Sequence, residues 1–188
     1  MTVLVVLLIA VLVVTSVVSL ALAGRSPAQH VAAFVAAGTL AFLGLLAVVW
    51  SGLVDETDVL GRTLLVDLFL ISVLGGSGVT ATVLWLVDRG STRADTMDRA
   101  GEVLRGGAWI GAFERSAVFA TLAAGWPEGL AIVLALKGLG RYSELRGTPP
   151  APDGVATSGG VAERFIIGSF ASLLWASACA GIYLALVG

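Results

Sequence analysis

The sequence predicts an all-α integral membrane bundle of six transmembrane helices with both termini outside, and three observations predict it. Composition comes first: 57% of the 188 residues are hydrophobic and only 13% charged. That balance is too apolar for a soluble domain, which must cover its surface with polar groups. Mean hydropathy is +0.98. Second, apolar stretches of about 20 residues recur along the chain, and at 1.5 Å per residue each crosses a hydrocarbon core of about 30 Å. In hydrocarbon such stretches must be helical, because every backbone polar group then finds its partner within the segment. Third, arginine and lysine gather in alternate connections, which fixes an orientation.

The first span fills residues 1–23, almost unbroken Val, Leu, Ile and Ala. A cleaved leader ending at Ala21-Leu22-Ala23 is the rival reading; the length of the apolar run and the absence of a preceding Lys or Arg favour a retained helix. Arg25 to His30, with Pro27, forms a short turn, and residues 31–53 are the second span. Asp55-Glu56-Thr57-Asp58 is an acidic loop. The third span, residues 64–87, carries Asp67, Gly75 and Gly78 near one stripe by helical periodicity. Its Gly75-Gly76-Ser77-Gly78 run has two readings. A loosened mid-membrane segment would line a site, as in transporters with broken helices; a close helix contact, through small residues that let backbones approach, is the favoured one.

Residues 89–105 are the longest polar connection, with four arginines among Asp95, Asp98, Glu102 and the preceding Asp88. Met97, Ala100 and Leu104 recur there at helical spacing, so the segment is either a surface-lying amphipathic helix or a solvated loop. The fourth span covers residues 107–124, Gly125-Trp126-Pro127-Glu128 is a tight turn, and the fifth span continues to residue 144. A Pro- and Gly-rich linker over 148–160 leads to the sixth span, residues 162–187. The chain thus divides into an N-terminal three-helix half (1–88), a cytoplasmic loop (89–106) and a C-terminal three-helix half (107–188).

Short cytoplasmic loops are enriched in basic residues. Arg25, the 89–105 arginines, and Arg141, Arg146 and Arg164 all belong to alternate connections, which are therefore expected inside. Trp50, Trp85, Trp109 and Trp126 fall at the expected interfaces, and Trp175 alone lies mid-span. The lone Cys179 sits in an apolar run, where packing is its ordinary role.

Charges inside spans matter most, since each costs about 2.5 to 3.5 kcal/mol on insertion scales and usually faces a partner or a wet cavity. On this topology Glu114, Arg115, Lys137, Arg141, Glu163 and Arg164 converge on the inner half of the last three helices. Four are basic and two acidic. Lys137, Arg141 and Glu144 share a face of the fifth span, and Arg164, Gly168 and Ser172 share one of the sixth. One reading is structural: Glu114 and Glu163 pair with arginines across helices and the remaining cations snorkel to headgroups. The other is functional, with the surplus positive charge holding an anion such as a lipid phosphate.

Catalytic signals are thin. No His, Cys or carboxylate set has metal-ligand spacing, and His30 reads as an ordinary interfacial polar residue. Neither a Walker loop nor a dinucleotide fingerprint is present, so no cofactor is expected. Glu114 as a general base for lipid phosphate chemistry is conceivable, but nothing in the spacing demands it. A net charge of −2 without a basic stripe speaks against nucleic acid.

Three motifs in order, Gly107-x-Trp109-Ile110-Gly111-x-x-Glu114-Arg115, then Glu128-Gly129 with Lys137-x-x-x-Arg141, then Ala162-Glu163-Arg164 with Ile167-Gly168 and Ser172, resemble the C-terminal membrane helices of an uncharacterised bacterial multi-pass family. The resemblance covers residues 107–172, and the N-terminal half is unmatched. It implies a bacterial inner-membrane location and points to the same charged residues, and it implies no activity.

The expectation is therefore a small membrane protein, more a binder or transporter than an enzyme, whose inner-leaflet pocket takes an anionic lipid or a phosphorylated small molecule. Glu114 would orient Arg115; Lys137, Arg141 and Arg164 would meet the anion, with Ser172 and Glu163 beside them. The alternatives are a structural partner of another membrane protein, or of a second copy, packing through Gly75, Gly78, Gly111 and Gly168, and an integral lipid-modifying enzyme.

Overall fold

A computed structural model of the protein describes residues 28–49, 59–88, 107–146 and 158–187, with positions 11, 13, 14 and 16–18 of the first span; at 29, 88, 107–108, 141–146 and 158–162 it describes backbone alone. Five continuous helices result: α1 (Ala28–Val49), α2 (Val59–Asp88), α3 (Gly107–Ala123), α4 (Glu128–Arg146) and α5 (Ser158–Val187). The described positions of 11–18 are helical too, and no strand occurs among the described residues. Three helices, His30–Val49, Val59–Val87 and Glu163–Val187, are long and apolar enough to cross a membrane. The chain is an all-helical membrane protein. α3 has 17 residues, about 26 Å at 1.5 Å per residue, and α4 carries Lys137, Arg141 and Glu144 within its 19 residues. The 89–106 connection and the 147–157 linker lie outside the described residues.

Pairwise contacts set the directions of the helices. Arg115 of α3 reaches Val73 of α2, and Phe119 one turn later meets Phe69 one turn earlier, their rings edge to face at 5.7 Å. These helices are antiparallel. Trp175 of α5 donates to the Ile71 carbonyl, and Gly168 lies against Thr80 and Leu84, so α5 also runs against α2. His30, in the first turn of α1, meets Thr82 near the far end of α2. α1, α3 and α5 therefore point one way and α2 and α4 the other.

α2 is the central helix. It is continuous through Gly75-Gly76-Ser77-Gly78, although glycine in a helix interior costs about 1 kcal/mol relative to alanine. Close packing offsets that cost. A Cβ on Gly76 would fall against Arg115 Cδ and 3.0 Å from Trp175 Cδ1, and one on Gly75 would lie 2.7 Å from Ser16 Oγ and 2.9 Å from Trp175 Cζ2. The glycine run is a helix contact and not a break. Around it, Leu43, Leu64, Leu68, Ile71, Phe119 and Cys179 are buried from α1, α2, α3 and α5.

α3 and α4 form a hairpin whose turn is written in the sequence. Gly125 has φ 69°, a left-handed conformation that glycine adopts without Cβ strain. Trp126 N donates to Thr121 O at 2.8 Å and Gly125 N to Leu122 O at 3.0 Å, the paired bonds of a Schellman cap. Pro127 needs no donor at the next helix start, and Glu128 sits in the first turn of α4, where the helix dipole favours an acid. Gly129 lets the two helices close, since a Cβ there would lie 2.5 Å from Thr121 Cγ2.

Candidate functional site: the charged cluster of α3, α4 and α5

Glu114 and Arg115 are consecutive on α3, so their side chains leave the helix about 100° apart. That offset divides the cluster. Arg115 turns into the bundle and is 4% exposed. It lies over Gly76 and beside Gly111, where a Cβ would meet Nη1 at 3.1 Å. Nε and Nη2 donate to the Val73 carbonyl at 3.1 and 2.8 Å, and Nη1 donates to Ser172 Oγ at 3.2 Å. One side chain thus ties α3 to both α2 and α5. The Val73 oxygen keeps its place in the helix, because a carbonyl has two lone pairs and tolerates extra donors.

Glu114 turns the other way, toward α4, where its Oε2 forms an ion pair with Lys137 Nζ. Both side chains keep some exposure, 12% for Glu114 and 15% for Lys137. Lys137 Nζ also lies 5.6 Å from the Phe165 ring centroid of α5, a distance at which a cation is held by the ring face. Lys137 therefore links α4 to α3 by charge and to α5 by its aromatic neighbour.

The structure brings Glu114, Lys137 and Phe165 together, and Arg115 with Ser172, but as two separate contacts. From the sequence, Glu114 is expected to orient Arg115 and the neighbouring bases; its carboxylate goes to Lys137, and the Arg115 guanidinium is bonded to backbone and hydroxyl oxygens, with no bond between Glu114 and Arg115. Nor does Glu114 pair with an arginine across helices. Glu163 is exposed and Arg164 half-buried at the start of α5. Arg141 lies on α4 one turn beyond Lys137, with its side chain outside the description.

The small-residue faces offered for a protein partner are already used. Gly75 is covered by Ser16 and Trp175, Gly111 by Arg115, and Gly168 by Thr80 and Leu84; Gly78 is buried. Among the described residues no group of His, Cys, Asp and Glu could hold a metal ion.

Comparison with family models, with curated proteins and with solved structures finds no match to this chain. The case for a site therefore rests on its own geometry.

Two features escape sequence reasoning. His30 Nδ1 is 3.0 Å from Thr82 Oγ1, and its ring stacks on Trp85 at 4.2 Å and 15°. The spacing of Thr82 and Trp85, one turn apart at the end of a span, was the available signal. Separately, an apolar groove of about 640 Å³ runs between α1 and α5 over α2. Its signal was a recurrence of small residues on one face of each wall, Ala37, Ala41 and Gly44 on α1 and Ala171, Ala178 and Gly181 on α5.

Proposed function

We propose that this protein is a six-span bacterial inner-membrane protein with both termini outside, and that the inner end of α3, α4 and α5 binds a phosphate-bearing anion, a lipid headgroup or a phosphorylated small molecule. The observation that carries this reading is the position of Lys137. It sits at the rim of the bundle, paired with Glu114, with Phe165 beneath it and exposure remaining. Arg141 follows one turn on, and Arg164 stands at the start of the neighbouring helix. Three cations, Lys137, Arg141 and Arg164, are thus carried by adjacent helices, and basic pockets between helices on the cytoplasmic side suit such headgroups. Arg115 and Ser172 are assigned a different task, holding α2, α3 and α5 together beneath the site. Membership of the bacterial family whose three motifs residues 107–172 resemble belongs to this proposal, since the motif residues are those of the two contacts.

Native mass spectrometry of the detergent-extracted protein tests the reading, wild type beside Lys137→Gln. The expected result is a retained anionic lipid or phosphorylated metabolite that the variant loses. An unliganded wild type overturns the proposal, and a stoichiometric protein mass in its place makes the chain an assembly partner instead.

A further inference from the structure

The groove between α1 and α5 has walls too small to close it. Ala37, Ala41 and Gly44 face Ala171, Ala178 and Gly181, and the two helices touch where Gly44 approaches Ile182, a Cβ there standing 3.6 Å from Ile182 Cδ1. Its volume, about 640 Å³, falls within the range of about 300 to 1,000 Å³ typical of small-molecule sites. Among the described residues the lining is aliphatic apart from Trp175, whose Nε1 is turned away to the Ile71 carbonyl. Water gains nothing there.

Both walls end in nitrogen-bearing side chains on the same side of the membrane. His30 precedes Ala37 by seven residues and Arg164 precedes Ala171 by seven, which is about two helical turns, so each falls on the face that lines the groove. The floor joins them. Val83, a floor residue, lies between Thr82, which is bonded to His30, and Leu84, which packs on Gly168 one turn from Arg164. On the topology proposed above, this end of the bundle lies at the inner leaflet.

We propose that the groove holds an acyl chain of an anionic membrane phospholipid, whose phosphate is met by Arg164 and His30 at the groove's inner end. The guanidinium fork matches phosphate geometry. His30 Nδ1 is engaged by Thr82 Oγ1 at 3.0 Å, so in the proposed complex Nε2 is the ring nitrogen that meets a phosphate oxygen, donating when it carries the proton. The chain covers apolar surface that neither helix wall can cover for the other. This inference deepens the reading given above by naming its ligand as a lipid; it shares Arg164 with that reading and otherwise stands on different residues.

The test is a titration of phosphatidylglycerol onto delipidated full-length protein, read by native mass spectrometry, with phosphatidylcholine and free glycerol phosphate as the other ligands. Gly181→Leu projects into the groove from a position in its lining where an added Cβ meets nothing within 4 Å. Gly38→Leu, equally open but not in the lining, is the control, and thermal unfolding no lower than that of the wild type checks the fold of both. Phosphatidylglycerol should bind the wild type, and Gly181→Leu and Arg164→Gln should each weaken it about tenfold or more, the equivalent of about 1.4 kcal/mol. Gly38→Leu should bind as the wild type does.

Wild-type affinity in Gly181→Leu, equal binding of phosphatidylcholine, or glycerol phosphate binding as tightly as the lipid would each overturn the inference. A protein mass displaced by Gly181→Leu would do so as well, making the occupant a helix. Lys137→Gln separates the two proposals. If it abolishes binding while Gly181→Leu does not, the α3–α5 cluster is the site and the groove is not; the reverse result retains the groove and removes the cluster.

Discussion

Arg115 donates twice to one oxygen, the Val73 carbonyl, from Nε at 3.1 Å and from Nη2 at 2.8 Å. Two parallel donors on a single acceptor fix the guanidinium plane against α2, and Ser172 Oγ at 3.2 Å fixes its other edge against α5. Hydrogen bonds made by charged groups contribute about 1.5 to 3 kcal/mol. Arg115→Met should therefore lower the unfolding temperature in detergent. Arg115→Lys should lower it further, because an ammonium cannot reproduce the fork and leaves a charge inside the bundle. A lysine variant as stable as wild type would remove the staple role.

Gly76 and Gly181 make opposite predictions for the same substitution. Gly76→Ala drives a methyl group into Arg115 Cδ and toward Trp175 Cδ1 at 3.0 Å, and overpacking of this kind costs about 1 to 3 kcal/mol. Gly181→Ala meets open space, and the gain in helix propensity is about 1 kcal/mol. Thermal unfolding of the pair should move in opposite directions.

Glu114 and Lys137 should be coupled. A double-mutant cycle on Glu114→Gln and Lys137→Gln is expected to give a coupling of about 0.5 to 3 kcal/mol, with the single variants each worse than additivity from the double predicts. A cycle closing at zero would mean that the contact holds α4 no better than solvent does.

Cysteine accessibility tests the proposed topology. Cys179 is free and buried, so a membrane-impermeant maleimide should leave the folded wild type unlabelled. In a Cys179→Ser background, Ser51→Cys and Gly125→Cys should label in intact cells, and Ser91→Cys only after permeabilisation. Labelling of Ser91→Cys in intact cells would invert the orientation.

Much of the helical pattern was legible because hydrocarbon imposes a length on apolar runs: residues 31–53, 107–124 and 162–187 each match a helix to within a few residues. α2 begins at Val59, five residues before the apolar run from 64, since Val59-Leu60 joins the helix while Arg62 lies exposed on its surface. That Glu114, Arg115 and Lys137 deserve notice was legible from the rarity of charge inside apolar runs. Their division into two contacts was not. Composition says that Glu114 and Arg115 need partners, but the choice of Lys137 for one and a backbone oxygen for the other depends on how α3 is rotated between its neighbours. Val73 as a partner carried no side-chain signal at all. The His30, Thr82 and Trp85 contact was missed for a related reason, because it joins residues 52 and 55 positions apart.

Trp175 and Arg115 both seek acceptors on α2, at Ile71 and at Val73, and in both cases the acceptor is main chain. The specificity of this junction is thus encoded on one side only. α3 and α5 must keep particular donors, whereas α2 must merely remain thin enough to be approached. Variation along residues 71 to 76 should be tolerated according to bulk and not chemistry, while the same freedom at Arg115 or Trp175 would strand a buried polar group. A drifting sequence of this protein would preserve its middle helix as a shape and its flanking helices as a text.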